Sequence, residues 1–203
     1  MVKKVFAFAW GFVTAPSRTS AELANDPAAL WVGFWWSFLF LAAYSVTVLV
    51  FWLLGHRPVS RGWLPIPPDR WYLVQTFTTI PVGLAGFLSY AGLAHLICRA
   101  LGGKGSFEAT FAVEAYCAIV PCIVFMLILE MLVAPVAIAL GMQSIPWPAW
   151  VEIRRTLVLP FIWIIALSAV ALRRVHGTRP LLGCAVTILA LIPTGMIMAV
   201  FIR

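Results

Sequence analysis

His95 and Glu114 are the residues of this sequence best placed to do chemistry, because each is an ionisable side chain inside a long apolar stretch. An ionisable group at the centre of a bilayer costs about 2.5–3.5 kcal/mol on insertion scales, so it faces a partner or a cavity rather than lipid. His95 precedes Leu101 by six residues, and Glu114 follows Ser106 by eight. At 1.5 Å per residue they lie roughly 9 and 12 Å from the turn between their helices, and so at matching depth. The two predict either a proton-handling site or, as the favoured interpretation, a structural pair that joins two helices.

Glu130 is the third acidic or histidine side chain within an apolar stretch. It follows Ser106 by 24 residues, which places it roughly 36 Å along a straight helix and therefore at the opposite membrane interface. There we expect it to meet arginines rather than a ligand.

Motifs of catalysis and of metal binding are absent from the sequence. It contains no HExxH zinc motif, no GxSxG nucleophile elbow and no phosphate loop of the spacing GxxxxGK[ST]. The four cysteines all lie in apolar segments without metal-ligand spacing, which is typical of small buried hydrophobic residues: Cys98, Cys117, Cys122 and Cys184. We therefore predict no catalytic residue, no metal, no cofactor and no enzymatic activity.

A glycine-rich corner separates the stretches that carry His95 and Glu114. Gly102, Gly103 and Gly105 let an incoming helix stop and the chain reverse within a few positions, and Ser106 is a suitable N-cap for the next helix. Since backbone donors at a helix N-terminus attract anions, Gly103, Lys104, Gly105 and Ser106 are a candidate contact for a lipid phosphate.

The composition indicates an integral membrane protein. Hydrophobic residues make up 63% of the chain and charged residues 10%, whereas soluble domains have roughly 45–50% and about 25%. The net charge of +7 comes from basic residues in short connections between apolar spans. Basic residues in such connections are typical of sequences that set membrane topology and contact anionic lipids, so we predict membrane lipids as partners and no nucleic acid.

The apolar stretches predict an all-α, polytopic membrane protein. Residues 3–15 are too short to span a membrane and carry aromatic residues behind two lysines, which predicts N-terminal interfacial helices over residues 1–27. Residues 28–203 then form a transmembrane domain of five helices, with spans at about 30–54, 71–98, 106–133, 156–172 and 180–202. In the second span Ala85, Ser89 and Gly92 share a face that lets another helix come close.

Five spans place the termini on opposite sides of the membrane, so the basic residues can be compared by side. One side holds eight lysines and arginines (3 + 2 + 3) and the other six (3 + 2 + 1). The excess lies with the N-terminus, which predicts a cytoplasmic N-terminus and an external C-terminus in the plasma membrane, or inner membrane of a bacterium.

Four features together resemble the Yip domain, the five-helix membrane fold of the Rab-GTPase-interacting-protein family and its bacterial relatives. They are the proline-bounded segment 16–27, the corner 102–107 with Gly102, the pattern from Tyr116 to Pro121, and the basic turn before the last helix. The family usually has glycine before that tyrosine, and Ala115 stands there in this chain. The resemblance implies the five-helix fold and a non-enzymatic role in membrane organisation, trafficking or assembly.

These observations predict a non-catalytic membrane scaffold or adaptor that contacts other membrane proteins or further copies of itself. The alternative is a small transporter or proton-coupled permease that uses His95 and Glu114. It is suggested by the prolines that interrupt four of the five spans: Pro81, Pro121, Pro160 and Pro193.

Overall fold

A computed structural model of the chain describes residues 1–58, 64–128, 136, 140 and 158–201. Over these ranges the ordered elements are all helical. They are α1 (Val2–Thr14), α2 (Pro16–Ala24), α3 (Ala29–Leu53), α4 (Pro68–Ala100), α5 (Phe107–Cys122) with a π-helix at Ile123–Ile128, α6 (Leu159–His176) and α7 (Pro180–Phe201). Glu130 and the expected end of the third span lie outside the described residues.

In the described part of the chain, five helices are long and apolar enough to cross a membrane: Ala29–Leu53, Pro68–Ala100, Phe107–Phe125, Leu159–His176 and Pro180–Met198. The prediction of an all-α protein with five spanning helices is thereby confirmed. α4 begins at Pro68, ahead of the predicted residue 71, because proline at the first helical position has a backbone angle already suited to a helix.

α6 continues past the predicted residue 172 to His176. Arg173, Arg174 and His176 form its last turn, where cations complement the negative end of the helix dipole. Gly177 then ends the helix with φ 73°, a left-handed angle that favours glycine. The basic residues expected in a turn between helices are therefore helical.

α5 is the central helix of the bundle. In its apolar 18-residue stretch 72% of the residues are buried, compared with 28–44% in the corresponding stretches of the other four spanning helices. It packs against α3, α4 and α6, and α7 packs outside it on α4 and α6. Small residues allow this close packing, since a Cβ added to Gly33 of α3 would lie 2.7 Å from the Ala112 Cα.

The end of α5 changes geometry after Pro121. Proline lacks the N–H that would bond the carbonyl of Cys117, and its ring crowds that carbonyl. Residues Ile123–Ile128 form a π-helix directly afterwards. The predicted third helix is thus α-helical only as far as Cys122.

The close helix contacts of α4 are made at Gly83 and Gly86, and not on the face of Ala85, Ser89 and Gly92. Added Cβ atoms would lie 2.2 Å from a Leu41 methyl at Gly83 and 2.4 Å from the Met198 Cε at Gly86. Ala85 is exposed instead, and Ser89 and Gly92 are partly exposed. The Ala85–Ser89–Gly92 face therefore points away from the rest of the bundle.

α1 and α2 pack at one end of the bundle, where α1 contacts α3 and α5 and α2 contacts α5 and α6. Val5 and Phe12 are the fully buried residues of α1. Lys4 forms an ion pair with Asp26, whose side chain is 7% exposed. Burial alone would raise the pKa of Asp26, but hydrogen bonds from Lys4 and the Ala28 N–H, with the Lys4 charge, outweigh it and lower that pKa.

Candidate functional site

Glu114 lies at the centre of the bundle and is fully buried. The Ser168 hydroxyl on α6 donates to Glu114 Oε2 at 2.7 Å, and the Tyr90 hydroxyl on α4 lies 2.9 Å from Ser168 Oγ. A serine hydroxyl has a single proton, so when that proton goes to Glu114 the hydrogen of the second bond comes from Tyr90. The resulting chain Tyr90–Ser168–Glu114 connects α4, α6 and α5 by side-chain hydrogen bonds.

The second carboxyl oxygen of Glu114 has a different environment. Oε1 is buried and has no hydrogen-bond partner among the residues that the structure describes. An unpartnered carboxyl oxygen at membrane depth is costly, and such groups are functional candidates. The described residues therefore supply a hydrogen-bond partner for one of the two carboxyl oxygens of Glu114.

His95 and Glu114 are not brought together, which corrects the pair expected from their matching depth. His95 Nδ1 lies 3.3 Å from the Thr110 hydroxyl oxygen, one helical turn closer to the corner than Glu114. Measured from the observed helix ends, Ala100 and Phe107, His95 is roughly 7.5 Å into α4 and Glu114 roughly 10.5 Å into α5, the same offset of about 3 Å that the sequence predicts. Depth along the helices therefore does not decide which side chains meet.

Thr110 links two histidines from different helices. Its hydroxyl donates to the Ser106 carbonyl at 2.7 Å, so it acts as acceptor towards His176 Nε2, 2.8 Å away. His176 Nδ1 in turn accepts the Gly105 N–H at 3.2 Å. These bonds assign the neutral tautomer with hydrogen on Nε2 to His176. The rings of His95 and His176 have centroids 5.5 Å apart.

His176 was missed as a site residue by sequence reasoning, which placed it in a basic turn. It is 5% exposed and packs against the glycine corner. A Cβ on Gly103 would lie 2.8 Å from His176 Nδ1, and one on Gly105 would lie 2.8 Å from the Val175 carbonyl oxygen. The corner thus needs glycine for close approach to α6, and at Gly102 also for its φ of 87°.

The candidate lipid-phosphate contact at the corner has few groups left for a ligand. The Gly105 N–H is donated to His176, the Gly103 carbonyl accepts from Arg99 at 3.3 Å, and Ser106 Oγ accepts the Ala109 N–H at 3.2 Å. Ser106 is the expected N-cap of α5, and Lys104 is the exposed cation of the group. Most of the polar groups at the corner are therefore used in hydrogen bonds within the protein.

Tyr116 joins α1 to the bundle. Its ring lies between Phe12 and Trp36, stacked nearly parallel to each, with centroid distances of 5.1 and 5.0 Å. Its hydroxyl donates to the Val5 carbonyl at 3.0 Å. The tyrosine therefore positions the N-terminal helix through both ring stacking and a buried hydrogen bond.

Metal-ligand clusters of histidine, cysteine, aspartate or glutamate are not found in the described part of the chain. The cysteines are unpaired thiols: Cys98, Cys117, Cys122 and Cys184.

The five spanning helices and the polar side chains that bond across them define a polytopic α-helical membrane protein. The chain belongs to the Yip1 family, since the family model described as the Yip1 domain matches residues 10–202, nearly the whole sequence. No curated protein and no solved structure matches it.

Proposed function

We propose that this Yip1-family protein is a non-catalytic membrane scaffold or adaptor, which helps to organise the membrane or to assemble a membrane complex through helix and lipid contacts. The observation that carries the proposal is the Tyr90–Ser168–Glu114 chain. A site that acts on a substrate needs polar groups free to reach it, whereas Tyr90, Ser168 and Glu114 Oε2 bond to neighbouring helices. Their role in the chain is to hold α4, α5 and α6 in register.

An adaptor also needs a surface for its partner, and α4 supplies a suitable one. On the Ala85–Ser89–Gly92 face Ala85 is exposed and Ser89 and Gly92 are partly exposed in the described chain, and a Cβ added to Gly92 would meet nothing within 4 Å. Small residues let helix backbones approach closely in lipid, where the hydrophobic effect gives no drive to associate. We infer that a helix of another membrane protein or of a second copy packs here.

The proposal places the protein in the plasma membrane, or bacterial inner membrane, with a cytoplasmic N-terminus. It is supported by the excess of basic residues on the side of α1, α2 and the two glycine-containing turns.

The adaptor role is tested by cross-linking in intact membranes followed by purification in mild detergent. Gly92→Leu adds bulk on the proposed contact face, and Gly195→Leu is its matched control, because a Cβ at Gly195 of α7 also meets nothing within 4 Å. We expect the wild type and Gly195→Leu to retain a membrane partner or a second copy, and Gly92→Leu to lose it. A wild type that is strictly monomeric with no co-purifying partner would refute the adaptor role. A Gly92→Leu variant that still retains the partner or second copy would refute the Ala85–Ser89–Gly92 face as the contact surface.

A second candidate function is a small proton-coupled transporter, and the unpartnered Glu114 Oε1 favours it. A buried carboxyl oxygen without a hydrogen-bond partner is available to a proton or a substrate. The test is a flux assay in proteoliposomes that compares wild type with Glu114→Gln. Flux that does not depend on Glu114, or no flux at all, removes this candidate.

A further inference from the structure

A groove of about 570 Å³ lies between α2 and the end of α6. Its polar rim contains Ser17, Arg18 and Arg174, and its apolar wall includes Ala21 and Val170. The groove is open and lies at the end of the bundle that carries α1 and α2. It combines charge with apolar surface, as an amphiphilic ligand requires.

Arg174 is held in position at this groove while its charge remains available. Its Nε donates to Ser17 Oγ at 2.7 Å, which orients the guanidinium and leaves the two Nη groups for other acceptors. Among the described residues, carboxylates pair with Lys4 and Arg18, and none pairs with Arg174. The groove therefore presents an oriented guanidinium fork, the geometry that binds phosphate by two parallel hydrogen bonds.

The surface below Arg174 suits an acyl chain. Val170, Ala166 and Ile162 follow at steps of four residues in a strip that winds round α6 by about 40° per step, and Ala166 and Ile162 are exposed. Ile162 lies roughly 18 Å along the helix from Arg174, comparable with half of a hydrocarbon core about 30 Å thick. A phosphate at the groove and a chain that follows this strip would therefore sit at their natural depths.

We propose that the groove between α2 and α6 binds an anionic phospholipid, with its phosphate on the Arg174 guanidinium and an acyl chain along Val170, Ala166 and Ile162. The rim carries two guanidiniums, Arg18 and Arg174, and one carboxylate, Glu22, and so has a net positive charge. This site is separate from the glycine corner, whose donors bond within the protein. It goes beyond the adaptor role and does not depend on it.

The test uses the full chain in nanodiscs with equal amounts of phosphatidylglycerol and phosphatidylcholine, released for native mass spectrometry. We expect the wild type to retain phosphatidylglycerol selectively. Arg174→Gln should lower that retention about tenfold, the factor that corresponds to about 1.4 kcal/mol. Ser17→Ala, which removes the hydroxyl that orients the guanidinium, should give a smaller loss.

Arg173→Gln is the matched control, because it removes the same charge from the neighbouring exposed residue, which does not line the groove. It should retain phosphatidylglycerol as the wild type does. Equal loss in both arginine variants would overturn the proposal in favour of general surface charge, and a wild type without selectivity would overturn it directly. A wild type that retains inorganic phosphate and no phosphatidylglycerol would show that the occupant is a free anion, which also contradicts it. Circular dichroism checks that each variant remains helical.

Discussion

Ser168→Ala should destabilise the bundle more than the loss of a single hydroxyl suggests. Ser168 is fully buried and is the middle member of the chain that joins α4, α5 and α6. Its removal takes the present partner from the Tyr90 hydroxyl and from Glu114 Oε2, and Glu114 Oε1 has none already among the described residues.

The expected size follows from the groups left unpaired. Hydrogen bonds between membrane helices average about 0.6 kcal/mol, with a maximum of roughly 1.7, but an unsatisfied buried group costs about 1–3 kcal/mol. We therefore expect Ser168→Ala to cost about 1–3 kcal/mol. A change of 1 kcal/mol shifts the melting temperature by about 2–4 °C in a chain of this size.

Thermal unfolding in mild detergent measures this cost, and Ser37→Ala is the matched control. Ser37 is also fully buried in a spanning helix, but its hydroxyl donates to the Gly33 carbonyl of its own helix at 2.9 Å. Its loss breaks no link between helices, so its cost should be small. Equal destabilisation by the two substitutions would refute the reasoning that the interhelical chain holds the bundle together.

Double-mutant cycles with Glu114→Gln extend the same test. Glu114 and Ser168 are in hydrogen-bond contact, so their effects should not add. His95 bonds to Thr110 instead, so His95→Leu and Glu114→Gln should be additive. Measurable coupling between His95 and Glu114 would contradict the finding that these side chains bond to different partners.

Three further predictions concern the N-terminal helices and the glycine corner. Because the pKa of Asp26 is lowered in the folded state, the ionised carboxylate stabilises the fold above its ordinary pKa of 3.8. The melting temperature should therefore fall as the pH drops below that value, and Asp26→Asn should remove this part of the pH dependence. An unchanged pH profile in Asp26→Asn would mean that the ion pair with Lys4 contributes nothing. Gly105→Ala should lower the melting temperature, because its Cβ would lie 2.4 Å from a Val175 methyl, whereas Gly92→Ala, with open space at its Cβ, should not; equal effects would contradict the close approach at the corner. Tyr116→Phe removes the bond that holds α1, at about 0.5–1.5 kcal/mol, and should speed proteolysis within α1, while an unchanged cleavage rate would show that ring stacking alone docks the helix.

Helix type and span number followed from the sequence because they depend on local composition. A run such as α3, 25 residues without a charge, is long enough to span a bilayer and must satisfy its backbone within the helix. The Ser106 cap and the glycine corner likewise depend on a few adjacent residues, and the structure has Ser106 as the N-cap of α5 and Gly102 at a positive φ.

The end of α6 shows where local signals were misread. The basic residues before Gly177 suggested a turn, yet the same types are favoured in the last turn of a helix. Sequence patterns do not distinguish these alternatives without the packing of His176 against the corner.

The partners of the polar side chains were decided by tertiary structure alone. Depth along a helix follows from residue number, and it identified His95 and Glu114 as buried or half-buried groups. Which side chain meets which depends on the rotation and offset of each helix, and these are determined by contacts such as that of Gly33 with Ala112. Ser168 and His176, the partners of Glu114 and Thr110, lie 54 and 66 residues away in the chain. A pairing over such a distance leaves no periodic or local pattern in the sequence, because it arises only when three helices pack together.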